Sequence, residues 1–546
     1  NAYNKYGGPN NAAPIRVNQR LNQFGGSLGG PIPIPRFGEG TPPAFKLGRN
    51  RAFFFFSYEG LRSTSADTIT ALVETPQYRQ LVQTQRPGSI AAQILGASGI
   101  EPRIISVLPV TCGTVGFPNG QFPVCQQVAG GLDIGSLALT TGQYLPGNQL
   151  NGGGLDGIPD VQYAQISVPT SSLGNQFNPR IDLNLTDKDT FTFSSYLSRF
   201  SGVGSDTGGR SRPMGDIRTS PTNSFAMLTW TRTLSASMLN EARFNATRFA
   251  FNEIQSSSET NFGIPRIEFE NLPGERLRFG APWSETTPGI FAENTFEFRD
   301  TLRLLAGNHG WSFGGEIRKE QDNNNLSGGS RPLFTFHGPF DFANDTPLFY
   351  QINADPRTGG PAESQRYFRT NSYALFAQDD WKMRPNLTLN LGLRWEYFSP
   401  LKEKEGRLSN FILGPAGQEL TGGRLVIVDE LYPPDRNNFA PRLGFAWSPK
   451  QIVGLNFEDK LVVRGGFGIA YNRIPTVLFA NTRGNPPFFA RYQICCGTSA
   501  SDFSTPFAGG QILYALGRNN SPASYPFNPA LAVPIDPATG SPTGRS

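Results

Sequence analysis

From 386 to 397 the chain reads NLTLNLGLRWEY, and this alternation constrains the fold more than any other feature. Leu387, Leu389, Leu391, Leu393, Trp395 and Tyr397 fall on one face of an extended strand. Thr388, Asn390, Gly392, Arg394 and Glu396 fall on the other. Side chains of a strand alternate between faces, so one face is continuously apolar and the other polar or small. The apolar face ends in two aromatics, as expected where a membrane strand meets the lipid–water interface.

The pattern recurs. In LVVRGGFGIAYN (461–472), Leu461, Val463, Phe467, Ile469 and Tyr471 oppose Arg464, Gly466, Gly468 and Asn472. Trp311, Phe313 and Ile317 oppose Ser312, Glu316 and Arg318, and Leu443, Phe445 and Trp447 oppose Arg442, Gly444 and Ser448. Arg or Glu on the inner face of strand after strand is costly in a dry core, because buried charges need partners. A water-filled or plugged lumen removes that cost. The expected fold is all-β: a transmembrane antiparallel β-barrel with lipid outside and water inside.

Composition is consistent with this. Charged residues are 17% of the 546, while 62 glycines and 43 phenylalanines suit turns and aromatic girdles. The densest apolar run, Phe53 to Phe56, is four residues long, which excludes a helical membrane protein but not a barrel, whose signal per strand is weak. A net charge of +5 without a basic cluster gives no reason to expect nucleic acid as a partner.

Several segments read as hairpins. RIDLNL (180–185) joins TFTFSSYLSRF (190–200) through a short turn, as do the pairs 227–232 with 240–251, 297–305 with 311–320, and 373–383 with 387–398. Longer polar segments lie between them at 201–222, 252–294, 319–370 and 399–440. Short turns alternating with long loops are the asymmetry of an outer-membrane barrel, with short turns periplasmic and long loops outside. Residues 63–170 lose the alternation and read as a large extracellular loop region, with a weak helical period at 78–95. The expected division is 1–20 as a connection into the barrel and 21–546 as the barrel, with 517–546 an irregular end. Asn1 at the start and the Pro/Gly/Ser-rich close PIDPATGSPTGRS suggest an internal fragment of a longer protein.

NQFGGSLGGPI followed by NRAFFFFSYEGLR resembles the passage from plug to barrel in TonB-dependent outer-membrane receptors. YALFAQDDWKMRPNLTLNLGLRWEY resembles a hairpin of those barrels, and NNFAPRLGFAWSP, LVVRGGFGIAYNR and AGNHGWSFGGEIR are similar to the Oar-like branch. The resemblance implies a twenty-two-stranded barrel, monomeric in outer-membrane lipid, whose lumen holds a plug. It further implies coupling through TonB to an inner-membrane energy complex, by an N-terminal box, and passage of a bulky extracellular ligand. Box, plug and signal peptide are not in these residues. A structural or adhesive surface protein is the alternative.

Candidate sites are sparse. The two histidines, His309 and His337, have no Cys or carboxylate at ligand spacing, and His309 reads as a polar turn residue. Neither catalytic residues, metal nor cofactor are expected: Asp379 and Asp380 point to opposite faces of a strand, and GGSLGG lacks the lysine of a phosphate loop. LDGIPD (155–160) reads as an Asp-Gly turn. Cys112 and Cys125, with twelve residues between them, either close their loop by a disulfide or stay two unpaired small residues; with Cys495 and Cys496, three connectivities are open. Glu316, Arg318, Arg394, Glu396, Arg442 and Arg464 are the expected lumen-facing residues, where the bland role is to solvate the wall or bind a plug. Ligand capture is assigned instead to the long loops.

Overall fold

The computed structural model describes residues 19–495 except 36–44, 48–50, 118–124, 136–154, 256–264, 271, 273–275, 281–282, 284–288, 327–331, 344–346, 348, 356–361, 363 and 458–459. Residues 1–18 of the expected connection at 1–20, the irregular end at 517–546 and Cys496 lie outside the described residues. Twelve strands form one antiparallel wall: β1 (Arg20–Pro31), β2 (Ala52–Glu74), β3 (Val161–Asn184), β4 (Asp189–Gly204), β5 (Thr222–Ser235), β6 (Met238–Gln255), β7 (Gly289–Ala306), β8 (His309–Leu326), β9 (Gln365–Arg384), β10 (Leu387–Phe398), β11 (Asp435–Trp447) and β12 (Val463–Gly468). Each strand pairs with its neighbours in sequence. Among the described residues, β1 and β12 are the edges of this sheet.

From β3 to β11 the connections alternate in length, while 32–51 and 448–462 are longer connections at the short-turn end. Leu185 to Lys188, Ala236–Ser237, Gly307–Asn308 and Pro385–Asn386 join strands at one end. Gly307 has φ +60°, a value a side chain disfavours, which suits glycine to the two-residue turn between β7 and β8. At the opposite end the connections are 75–160, 205–221, 256–288, 327–364 and 399–434.

Two expected borders shift. The pairing of β2 with β3 runs unbroken from Ser63↔Ser172 to Glu74↔Val161, so the loop is 75–160 rather than 63–170. At this height neither face needs an apolar stripe, and small polar residues mask the period of two. β12 spans 463–468 rather than 461–472. Its ladder ends where the Ile469 N–H donates to the Pro441 carbonyl at 3.0 Å, because proline has no N–H to return.

The long connections fold into a cap with a dry core. The weak helical period resolves into α1 (Pro76–Gln85) and α2 (Ile90–Leu95), separated by Arg86-Pro87-Gly88. Thr75 and Ser89 cap them, accepting from the N–H groups of Tyr78 and Ala92, each at 3.0 Å. A second sheet orders Leu277–Gly280, Arg266–Phe269, Leu333–Phe336, Phe349–Ala354 and Ala490–Cys495, with the second and third strands parallel. One buried cluster joins Tyr78, Ile94, Met214, Phe269, Phe279, Phe334, Phe336 and Phe342, contributed by four different connections. Phe342 meets Phe279 and Phe336 edge-on, with centroids 5.2 and 5.1 Å apart, the arrangement aromatic quadrupoles favour. Tyr78 Oη donates to the Pro339 carbonyl at 2.6 Å, tying the first cap loop to the fourth.

Candidate functional site: the two faces of the wall

Residues paired directly across strands share a face, so the register assigns every wall side chain. On one face, Trp381 continues into Leu389 and Phe445, Ala377 into Leu393, and Tyr373 into Tyr397. Leu375 is 61% exposed, Leu393 49% and Leu443 53%, one broad apolar surface rather than scattered residues. This face changes character with height. On β8 it runs His309, Trp311, Phe313, Ile317 and then Lys319 and Gln321; on β9 it runs Trp381, Asp379, Ala377, Leu375, Tyr373 and then Asn371 and Arg369.

The stretch from 309 to 317 on β8 and from 373 to 381 on β9 is nine residues long, the 9–11 that a tilted strand needs to cross a bilayer, and it is interrupted near the short-turn end by Asp379, paired with His309. Aromatics mark both margins. Trp230, Trp311, Trp381 and Trp447 lie near the short-turn end, and Tyr373 and Tyr397 stack 6.1 Å apart at the upper margin with Trp395. Strands of 18–24 residues are about twice the crossing length, and the excess carries the cap.

The opposite face is charged. Glu316, Arg318, Arg394, Glu396, Arg442 and Arg464 all lie on it, through Glu316↔Ala374↔Glu396, Arg318↔Ser372, Phe376↔Arg394, Gly392↔Arg442 and Ala446↔Arg464. The structure links four of the six into an ion network. Glu316 accepts from Arg299 at 2.5 Å and lies 3.9 Å from Arg394, which donates to Glu396 at 2.9 Å. Arg318 bridges Glu297 at 3.5 Å and Glu320 at 2.8 Å, and Glu320 also holds Arg473 at 2.5 Å. Arg442 and Arg464 have no ion-pair partner among the described residues. Arg243, Glu297, Arg299, Arg303 and Glu320 belong to the same face. They carry the same sequence signal, a charge at alternate positions; Glu320 continues the row of Glu316 and Arg318 on β8, and the others sit in strands whose opposing face is less uniformly apolar.

One pairing was not legible from spacing, and another, the Cys112–Cys125 disulfide, was left open by it. His309 is the first residue of β8, not a turn residue: its ring lies between Trp311 and Trp381, with centroids 5.7 and 5.3 Å away, and Nδ1 is 2.7 Å from Asp379 Oδ2. Register alone brings His309 and Asp379 together. In the cap, Cys112 and Cys125 form a disulfide with Cα atoms 5.9 Å apart.

The Asp-Gly turn at 155–160 is also part of the cap. Gly157, at φ +82°, donates to Asp133 at 2.8 Å, and Ile134 donates to Asp160 at 2.9 Å. Burial pushes the Asp133 carboxyl up to about 6, and raises that of Asp160 as well. Among the described residues no group of three His, Cys, Asp or Glu is placed to hold a metal ion.

A lipid-facing apolar band over a charged inner face is the signature of a membrane barrel wall. The family model for the outer membrane beta barrel domain matches residues 2–543. The chain belongs to that family. Its place is the bacterial outer membrane.

Among solved structures it is similar to the outer membrane transporter YddB from Escherichia coli, with TM-score 0.35 and 10% identity over 78% of this chain and 44% of that one. It is also similar to a mutant of the ferric enterobactin receptor PfeA from Pseudomonas aeruginosa (TM-score 0.29, 10% identity, 79% and 41%). A third is BauA, the ferric preacinetobactin receptor from Acinetobacter baumannii (0.21, 10%, 79% and 58%). The chain thus spans less than half the length of the first two. No curated protein matches it.

Proposed function

We propose that this barrel domain is the translocation wall of an Oar-like TonB-dependent receptor, which binds a bulky solute outside and admits it to the periplasm by energy-coupled gating of a plug. The observation that carries this reading is the charged inner face, with ion pairs on strands from β6 to β10 behind a lipid-facing apolar band. A face of that kind suits a lumen in which water, a plug or a hydrophilic solute replaces a dry core. On this reading the short turns are periplasmic and the cap is extracellular. The mechanism involves no covalent chemistry: displacement of the plug exposes the wall, and the solute exchanges contacts along it.

The packed cap supports a second reading. Four long connections share one buried core and offer an ordered body suited to adhesion or envelope organisation. Deleting the short TonB-box segment from the full-length protein separates the two. The receptor reading expects solute accumulation to stop while outer-membrane abundance is unchanged; a phenotype indifferent to the deletion favours the surface role.

A further inference from the structure

The lower part of the inner face, toward the short turns, forms a groove of about 830 Å³. Five guanidinium groups line it, from Arg243, Arg299, Arg303, Arg394 and Arg442, against two carboxylates, Glu241 and Asp380. Three of the five are engaged: Arg243 with Glu241 at 2.7 Å, Arg299 with Glu316 at 2.5 Å and Arg394 with Glu396 at 2.9 Å. Arg303 and Arg442 have no ion-pair partner among the described residues.

The register relates these two. Arg303↔Ser312, Ser312↔Gln378, Gln378↔Gly392 and Gly392↔Arg442 make one continuous row across β7 to β11. Four strand spacings separate the two arginines, about 19 Å measured along the wall. The floor between them is Ser312, Gln378 and Gly392, which is polar or small and uncharged. Asp380, the nearest acid on the floor strand, already accepts from Asn390 at 2.6 Å and Gln378 at 3.2 Å.

We infer that this groove, with Arg303 and Arg442 at its two ends, is a binding site for a solute carrying several carboxylate or phosphate groups. The inference rests on the lumen reading above and narrows the solute to a polyanion. Guanidinium groups pair with such oxyanions through two parallel N–H donors, and an uncommitted Arg gives up less on binding than one already bridged. Ser312 and Gln378 add neutral donors between the ends. Because the groove lies toward the short turns, it would hold the solute late in passage.

The test uses the full chain in non-ionic detergent, titrated calorimetrically with tripolyphosphate and with citrate. Saturable binding of at least one probe is expected, weakened at least tenfold in Arg303→Gln/Arg442→Gln and unchanged in Arg180→Gln, a wall arginine paired with Asp182. The double Lys variant, which keeps charge without the fork, is expected to fall between and serves as a second folded comparison. No saturable heat, or equal binding in wild type and the double Gln variant, overturns the proposal.

A separate readout keeps the two readings apart. Gly392→Cys, on the groove floor, is treated in lipid vesicles with a charged, membrane-impermeant maleimide beside the wild-type chain. Labelling specific to the variant supports the lumen reading whatever the anions do; its absence removes that reading and the anion site with it.

Discussion

The cap should come loose from the wall when Arg212 loses its charge. Arg212 is 1% exposed, and its fork donates to both oxygens of Glu74, itself 1% exposed, at 2.7 Å each. It also donates to the carbonyls of Ile100 and, at 3.2 Å, Gly209, and lies 5.3 Å from the Phe279 ring centroid. One side chain thus clamps the top of β2 to two cap loops. Arg212→Met preserves most of the volume but leaves the Glu74 carboxylate buried with only Arg79, 3.2 Å away.

Removing one partner of a buried pair costs about 3–5 kcal/mol, because the other charge stays desolvated. At about 1.4 kcal/mol per factor of ten, amides of α1 and α2 should exchange hydrogen about 10²- to 10³-fold faster, while β7–β10 stay protected. Glu74→Leu combined with Arg212→Met should recover most of that protection, since replacing both charges removes the orphan and Arg79 keeps Glu101 at 2.9 Å. If Arg212→Met changed cap exchange by less than about fivefold, or the double variant were worse than the single, the reasoning about a buried clamp would be refuted.

Further outcomes follow from the same structure. Phe342→Ala removes a ring at the centre of the aromatic cluster and should cost about 3–5 kcal/mol in cap stability, read by exchange or limited proteolysis of the cap loops. Asp133, with its folded value raised to about 6 from 3.8, contributes stability that is fully present below about pH 4 and lost as pH rises through about 6. The loop strands Cys125–Val128 and Gly131–Ile134 should accordingly resist protease better at pH 5 than at 7.5, and Asp133→Asn should flatten that difference. On β10, Leu393→Arg should cost about 2–4 kcal/mol in vesicle refolding and Asn390→Arg much less, because only the former enters hydrocarbon; equal costs would contradict the assigned faces.

How much of this was legible in the chain depended on what each surface touches. β10 could be read residue by residue because lipid demands an apolar side chain at every second position and the lumen tolerates a charge at the others. The upper halves of β2 and β3 could not, since from Ser63 to Glu74 both faces meet water or protein and no period is imposed. The cap was illegible for a different reason. Its core depends on contacts such as Tyr78 with Pro339 and the parallel pairing of Glu268 with Thr335, which only the closed set of hairpins brings together. The inner-face positions of Arg394 and Arg442 followed from parity, whereas the row joining Arg303 to Arg442 required the register of five strands.

The central claim is that one face of the wall meets lipid and the other water. Its most direct measurement is a spin-label scan of positions 388–396 in β10, comparing accessibility to oxygen with that to a water-soluble nickel complex in bilayers. Labels at 389, 391 and 393 should favour oxygen, and those at 388, 390, 392, 394 and 396 should favour nickel, giving a period of two. A scan without that period, or with the two sets reversed, would contradict the account.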